Sequence, residues 1–185
     1  YSDEQTASHE ELYRYTLDAS KAADAWFYRL MEVGLNLHLN VNPDIELGVV
    51  KLWSDVLIRD GDDILGVVGT GLDLSDFLNQ IVEKQDIYSA IVFTNYEGAI
   101  QLYQEEDLID YASITKNSED KKRIFQLLDD EGSRKTLKQS FARARNHPNS
   151  VDISSVSKEG VRQLASVVYI PEIDWFQINF IDINN

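Results

Sequence analysis

The sequence predicts an α+β fold of antiparallel sheets flanked by helices, and three observations predict it. Apolar residues recur at helical spacing early in the chain. Strict alternation of apolar and polar residues follows at once, and the later β-rich runs are joined by tight-turn chemistry.

The helical signal covers residues 6–33, which lack Gly and Pro and place Leu12, Tyr15, Ala19, Ala22, Trp26 and Leu30 three or four apart. Asp18 and Ser20 offer a break between two helices, the second covering 22–33 and ending at Gly34, a left-handed C-cap. Residues 35–42 then alternate Leu and Val with Asn and His, as a strand with one buried and one polar face does, and Asn42-Pro43-Asp44 closes it. Runs at 48–58 and 64–72 meet at Arg59-Asp60-Gly61-Asp62-Asp63, the strongest hairpin signal in the chain. Gly66, Gly69 and Gly71 inside the second run predict close packing or a bulge. Asp73 or Ser75 caps a short helix over 76–83.

A second unit begins at Ile87, with strands at 88–94 and 99–103 around Asn95-Tyr96-Glu97-Gly98. A long polar helical section is expected from 107 to 146, its stripe formed by Ile124, Leu127, Leu128, Leu137 and Phe141. Strands at 151–157, 161–170 and 175–183 complete a five-stranded antiparallel sheet with its helices inserted after the second strand.

Composition narrows the function. The 185 residues suit one domain or two small ones, and 43% hydrophobic with 26% charged residues supports a proper core. A net charge of −15 repels phosphate backbones and anionic headgroups, so nucleic acid is not an expected partner. No stretch approaches the ~18–20 apolar residues that span a bilayer. With no Cys and three scattered His, neither a disulfide nor a metal site nor a cofactor is expected. Gly66-Val67-Val68-Gly69-Thr70-Gly71 lacks the Lys of a phosphate loop, and Asp60-Gly61-Asp62-Asp63 lacks the Glu that completes a calcium loop. The run Lys121-Lys122-Arg123 and the pair Arg143 and Arg145 are expected on polar helix faces, pairing with the acidic excess.

The order of elements in the second unit is that of a PAS-like fold, and the first unit resembles its later part. Two such modules in tandem resemble the double Cache sensor, the extracytoplasmic ligand-binding domain of bacterial diguanylate cyclases, histidine kinases and chemoreceptors. Asp24-Ala25-Trp26-Phe27-Tyr28 resembles the aromatic pair on that family's pocket helix. Val56-Leu57-Ile58-Arg59-Asp60-Gly61 with Ile64-Leu65-Gly66-Val67-Val68-Gly69 resembles its strand, turn and glycine-marked strand, and Gly71-Leu72-Asp73-Leu74 its ligand-facing acidic ending. Leu17-Asp18-Ala19-Ser20-Lys21 and Tyr111-Ala112-Ser113-Ile114-Thr115-Lys116 look most like sensors attached to diguanylate cyclases.

The resemblance implies tandem PAS-like (Cache) modules: a membrane-distal one over 1–84, incomplete at its N-terminus, and a membrane-proximal one over 85–185. It implies a non-enzymatic sensor on the periplasmic or extracellular face of a bacterial inner membrane, homodimeric in the full receptor and anchored by flanking helices outside this sequence. The alternatives are a ligand-free interaction or dimerisation module and, more remotely, a carboxylate-dependent hydrolase.

The candidate ligand-binding residues are Trp26, Tyr28, His38, Asn40, Trp53, Asp55 and Asp73. Trp26 on an apolar stripe serves as core or as pocket wall, His38 and Asn40 face either pocket or solvent, and Asp73 is either a cap or a ligand group. Asp55 stands within an apolar strand and needs water, a cation or a donor. Amino-acid-binding relatives carry an Arg two residues before the Trp, where this chain has Asp24. With carboxylates and aromatic faces in its place, the expected ligand is a small polar molecule, cationic or neutral, an amine among them.

Overall fold

The computed structural model describes residues 15–44, 49–74 and 89–183. A first group of elements consists of helix α1 (Ala25–Val33) and strands β1 (Leu37–Asp44), β2 (Val49–Asp60) and β3 (Asp63–Asp73), paired antiparallel in the order β1-β2-β3. The second comprises β4 (Ser89–Thr94), β5 (Ile100–Leu102), helix α2 (Glu131–Asn146), β6 (Val151–Lys158), β7 (Val161–Ile170) and β8 (Trp175–Asp182). Its antiparallel sheet runs β5-β4-β8-β7-β6, with α2 inserted after the second strand as expected.

The break offered at Asp18 and Ser20 is present, with the second helical stretch after it, while residues 6–14 of the helical signal lie outside the described residues. Residues 15–21 are not helical; a single 3-10 turn at Ala22–Asp24 leads into α1. The Asp18 carboxylate accepts from the Ser20 amide and hydroxyl at 2.9 and 2.7 Å, and the Asp18 amide donates to Asp24 at 2.9 Å. These local bonds offer the backbone an alternative to helix. The helix ends as expected at Gly34, whose φ of 67° is the left-handed cap. Arg59 then donates to the Gly34 carbonyl and to Asn36, so that β1 starts two residues later than the alternation alone suggests. Pro43 fits within β1 because this is an edge strand.

The β2–β3 hairpin closes over Gly61-Asp62, with Gly61 at φ 58°, and a register shift between Ile58 and Arg59 produces a bulge. The expected helix over 76–83, the start of the strand at 88 and residues 6–14 lie outside the described residues.

The largest correction concerns residues 107–130. Instead of a continuing helix they form four 3-10 turns, at Glu106–Leu108, Ser113–Thr115, Ser118–Asp120 and Ile124–Leu127. Backbone bonds tie this segment to the sheet: Ile100 donates to Lys122, Ile124 to Gly98, and Asp129 to Ser157. A helix would forfeit these bonds. Helix α2 starts only at Asp130, whose carboxylate caps the Ser133 amide at 2.8 Å. Lys121, Lys122 and Arg123 are therefore not on a helix face, although Lys121 does pair with Glu97 and Arg123 bonds to Ser118.

Leu137, Phe141 and Ala144 of α2 pack on Val156, Ala165, Val167, Phe176, Ile178 and Phe180 in the main core, where Phe141 stacks on Phe176 at 4.1 Å. A smaller core joins the two sheets: Val41, Leu74, Leu102 and Trp175 are buried together, with Leu39, Val50 and Leu52 against them. His38 lies near this joint, nearly enclosed, beside a cavity of about 120 Å³ formed with Asn95, Tyr96 and the 171–175 turn. Burial, and then the charge of Lys121, push its imidazole down to about 4.

Leu137→Ala is expected to cost about 2–5 kcal/mol in urea unfolding, because this side chain is wholly buried. Leu72→Ala, at 63% exposure, should stay within about 0.5 kcal/mol. His38 gives a pH signature. As the pH falls below 6.5 the unfolded chain binds a proton that the folded chain refuses until about 4, so stability falls with pH. The loss from this group between pH 6.5 and 5 is about 2 kcal/mol. His38→Asn should abolish that part of the pH dependence, and an undiminished slope in the variant would assign it to other groups.

Candidate functional site

A cavity of about 510 Å³ opens on the first sheet. Helix α1 supplies Trp26 and Leu30, one helical turn apart, and Ala22 and Ala23 precede them. Strand register explains the floor. Asn40 is paired with Trp53 and Asn42 with Lys51, while His38 pairs with Asp55 and Asp55 in turn with Gly69. Directly paired residues share a face, so the polar positions of β1 and the odd positions of β2 lie on one side of the sheet. Asn40, Asn42, Trp53 and Asp55 line the cavity, together with Val67 and Gly69 of β3.

The glycines of β3 make room for these side chains. A Cβ at Gly69 would stand 2.4 Å from the Asp55 Oδ1, and one at Gly71 3.1 Å from the Trp53 ring. Asp55 and Trp53 thus lean over bare backbone, the close approach that glycine in a strand permits. Lys51 extends over the Trp53 ring, its Nζ 5.3 Å from the centroid.

Two polar groups in this wall are unspent. Asn40 is 7% exposed and its Oδ1 has no hydrogen-bond partner. Asp55 is half-buried, no described residue pairs with its carboxylate, and burial raises its pKa above the usual aspartate value. A desolvated carboxylate, an unpaired amide oxygen and two indoles facing one space suit a ligand that donates hydrogen bonds or carries positive charge. Among the described residues no group of three or more His, Asp or Glu is arranged to hold a metal.

Of the residues singled out from sequence, Trp26, Asn40, Trp53 and Asp55 come together here. Tyr28 does not line the cavity; it packs edge-on against Phe27 and is 38% exposed. His38, although paired with Asp55, does not line this cavity; it lines the smaller one with Asn95, Tyr96 and the 171–175 turn. Asp73 ends β3 opposite Lys51, outside the wall. Asp24 is buried, and its carboxylate accepts from the Asp18 amide. Arg29 pairs with Glu32 at 2.6 Å on the surface.

Sequence reasoning missed Asn42, although it continues the alternation of His38 and Asn40, because Pro43 made it look like a turn residue. It also missed Ala112, Ile114 and Thr115, which complete the wall from the second group of elements and carry no local signal of doing so.

No family model matches the sequence, and no curated protein is significantly similar to it. Solved structures match in fold. The ligand-binding domain of the amino acid chemoreceptor PctB of Pseudomonas aeruginosa PAO1, in complex with L-Gln, aligns with a TM-score of 0.55 at 15% identity, covering 91% of this chain and 61% of that one. The corresponding domain of PctC from the same organism, in complex with GABA, gives 0.52 at 16% identity over 89% and 62%. An extracellular domain named for a histidine kinase, mmHK1S-Z3, gives 0.56 at 12% identity over 85% and 53%. This chain therefore spans less than two thirds of the length of these structures. What it shares with them is the α+β fold of antiparallel sheets found in PAS-like sensor domains.

Proposed function

We propose that this chain is the extracytoplasmic small-molecule-sensing segment of a transmembrane signalling receptor, with tandem Cache-like modules over 1–84 and 85–185. The observation that carries the reading is the cavity itself: among the described residues the Asp55 carboxylate and the Asn40 Oδ1 have no partner, and they stand beside Trp26 and Trp53 in a space of ligand size. The fold likeness supports a sensor, and the matched chemoreceptor domains are seen with L-Arg, L-Gln and GABA, each bearing an amino group. Such a segment works at the periplasmic or extracellular face of a bacterial membrane, as a homodimer whose output domain is a diguanylate cyclase by resemblance of the runs around Asp18 and Ala112. Among the described residues no helix is long and apolar enough to cross a membrane.

The chemistry favours an amine. An ammonium group gains roughly 0.5–2 kcal/mol from an indole face, and a charge-assisted bond to Asp55 adds about 1.5–3 kcal/mol. The matched GABA and amino-acid ligands also carry a carboxylate, for which this wall offers no guanidinium, since position 24 is an aspartate turned to the backbone.

A thermal-shift panel of putrescine, choline, arginine, GABA, succinate and glucose tests the reading. Putrescine or choline is expected to stabilise, by about 2.7 kcal/mol at 100 times its Kd. Asp55→Asn should abolish that gain while leaving the unliganded chain as stable or more so, because it removes a desolvated charge. Stabilisation by succinate that survives Asp55→Asn would overturn the polarity assigned to the site, and silence across the panel would favour the ligand-free interaction module. Gly69→Ala gives a second check: its Cβ displaces the Asp55 carboxylate, so amine binding should weaken while the stability of the unliganded chain changes by less than about 1 kcal/mol.

A further inference from the structure

We propose that the cavity is a composite site whose outer wall, the Ala112–Thr115 turn, reports occupancy to the second sheet through a latch between Asn42 and Ala112. This rests on reading the cavity as the ligand site.

The latch is a single long-range bond. The Ala112 amide donates to the Asn42 Oδ1 at 2.5 Å, joining residues seventy positions apart in sequence. Asn42 lies on the cavity floor and Ala112 in its opposite wall, so one hydrogen bond closes the space between the two groups of elements. Ala112 holds φ at 54°, a left-handed conformation disfavoured for a residue with a Cβ. The surrounding structure must impose that conformation, and such positions are where small changes in contacts are felt.

The other end of the segment is anchored in the second sheet. Asp110 has no exposed surface; its amide donates to the Ile100 carbonyl of β5 at 2.7 Å, and its Oδ1 accepts from the Lys116 ammonium at 2.6 Å and the Lys122 amide at 3.2 Å. Among the described residues its Oδ2 and the buried Ser113 hydroxyl have no hydrogen-bond partner. Among the described residues the segment is thus anchored at β5 through Asp110 and the buried Ile109, and at the cavity through the Asn42–Ala112 bond. Helix α1 packs against the same turn, so a ligand lodged between Trp26 and Thr115 touches both sides at once.

Such a ligand has more to bind when the turn is latched than when it is released, and that difference is the coupling. The coupling is reciprocal: a latched turn raises affinity, and an occupied cavity protects the latch.

Amide hydrogen exchange on the whole 185-residue chain, with and without saturating putrescine, tests this. Putrescine is expected to slow exchange across 110–116 at least fivefold in the wild type. Asn42→Ala should speed exchange there at least tenfold without ligand, leave the β7 and β8 amides unchanged and weaken putrescine binding at least threefold, and Asn42→Asp, which keeps an acceptor, should restore protection. Putrescine binding that requires Asp55 yet leaves 110–116 unchanged in the wild type overturns the coupling while the site reading stands, and it needs no variant to fold. Unaltered exchange at 110–116 in Asn42→Ala overturns the latch. Failure of putrescine to bind, with 110–116 still released by Asn42→Ala, removes the cation site and with it the coupling, leaving a structural bond.

Discussion

Strand β1 must satisfy two environments at once, and the rest of the structure depends on how it does so. Its apolar positions, Leu39 and Val41, pack into the joint with Leu74, Leu102 and Trp175, and Val41 is wholly enclosed. Because side chains alternate, burying that face commits the polar positions to the other. Asn40 and Asn42 then stand where a solvated edge would not place them, against α1 and the Ala112–Thr115 turn. A one-residue slip of register would send Val41 to the cavity and the asparagines into the joint, so the same packing that joins the sheets also builds the site.

Strand β3 contributes by omission. Side chains at positions 69 and 71 would fill the space that Asp55 and Trp53 occupy, and a strand of β-branched residues would be a better sheet former there. The sheet gives up local propensity, and Asp55 gives up solvation, at adjoining positions of one register row. Two departures from good strand chemistry at one place argue for use rather than accident, since each alone lowers stability.

How much of this was legible in the sequence follows from where the signals are local. Alternation at 35–42, the Asp-Gly turn and the Glu159-Gly160 turn, where both residues adopt positive φ, specify strands and hairpins through neighbouring residues. Trp26, Asn40, Trp53 and Asp55 were accessible because a polar group in an apolar strand, or an aromatic on a helix stripe, is conspicuous by itself. Residues 107–130 were not, because Ile124 and Leu128 are buried by turns bonded to distant strands yet mimic helical spacing. Ala112 looks like an ordinary helix former, and nothing nearby betrays its left-handed backbone or its partner at Asn42. The core of each sheet is written in its own strands, whereas the outer wall of the cavity is a long-range contact.

Charge separates two roles that a net value of −15 would otherwise blur. In the second half, cations are largely committed: Lys116 to Asp110, Lys121 to Glu97, Arg143 to Asp152 and Arg145 to Asp174. The Arg143 guanidinium, exposed beside Asp152, holds that carboxyl below the usual range, but as a surface pair it adds little stability. Of the first 84 residues, those with described side chains include Lys21, Arg29, Lys51 and Arg59 against Asp18, Asp24, Glu32, Asp55, Asp60, Asp62, Asp63 and Asp73, so the field of this described part is negative. At physiological ionic strength that field is screened beyond ~8 Å, so distant carboxylates would steer a cation toward the opening without holding it. In the proposed site, holding a cation would fall to Asp55, which lines the cavity with no described partner and is partly desolvated, so that its interactions there are less screened than at the open surface. For the cation proposed here, rate of arrival and strength of retention would therefore rest on different residues, and the second would depend on the glycine that lets Asp55 lie against β3.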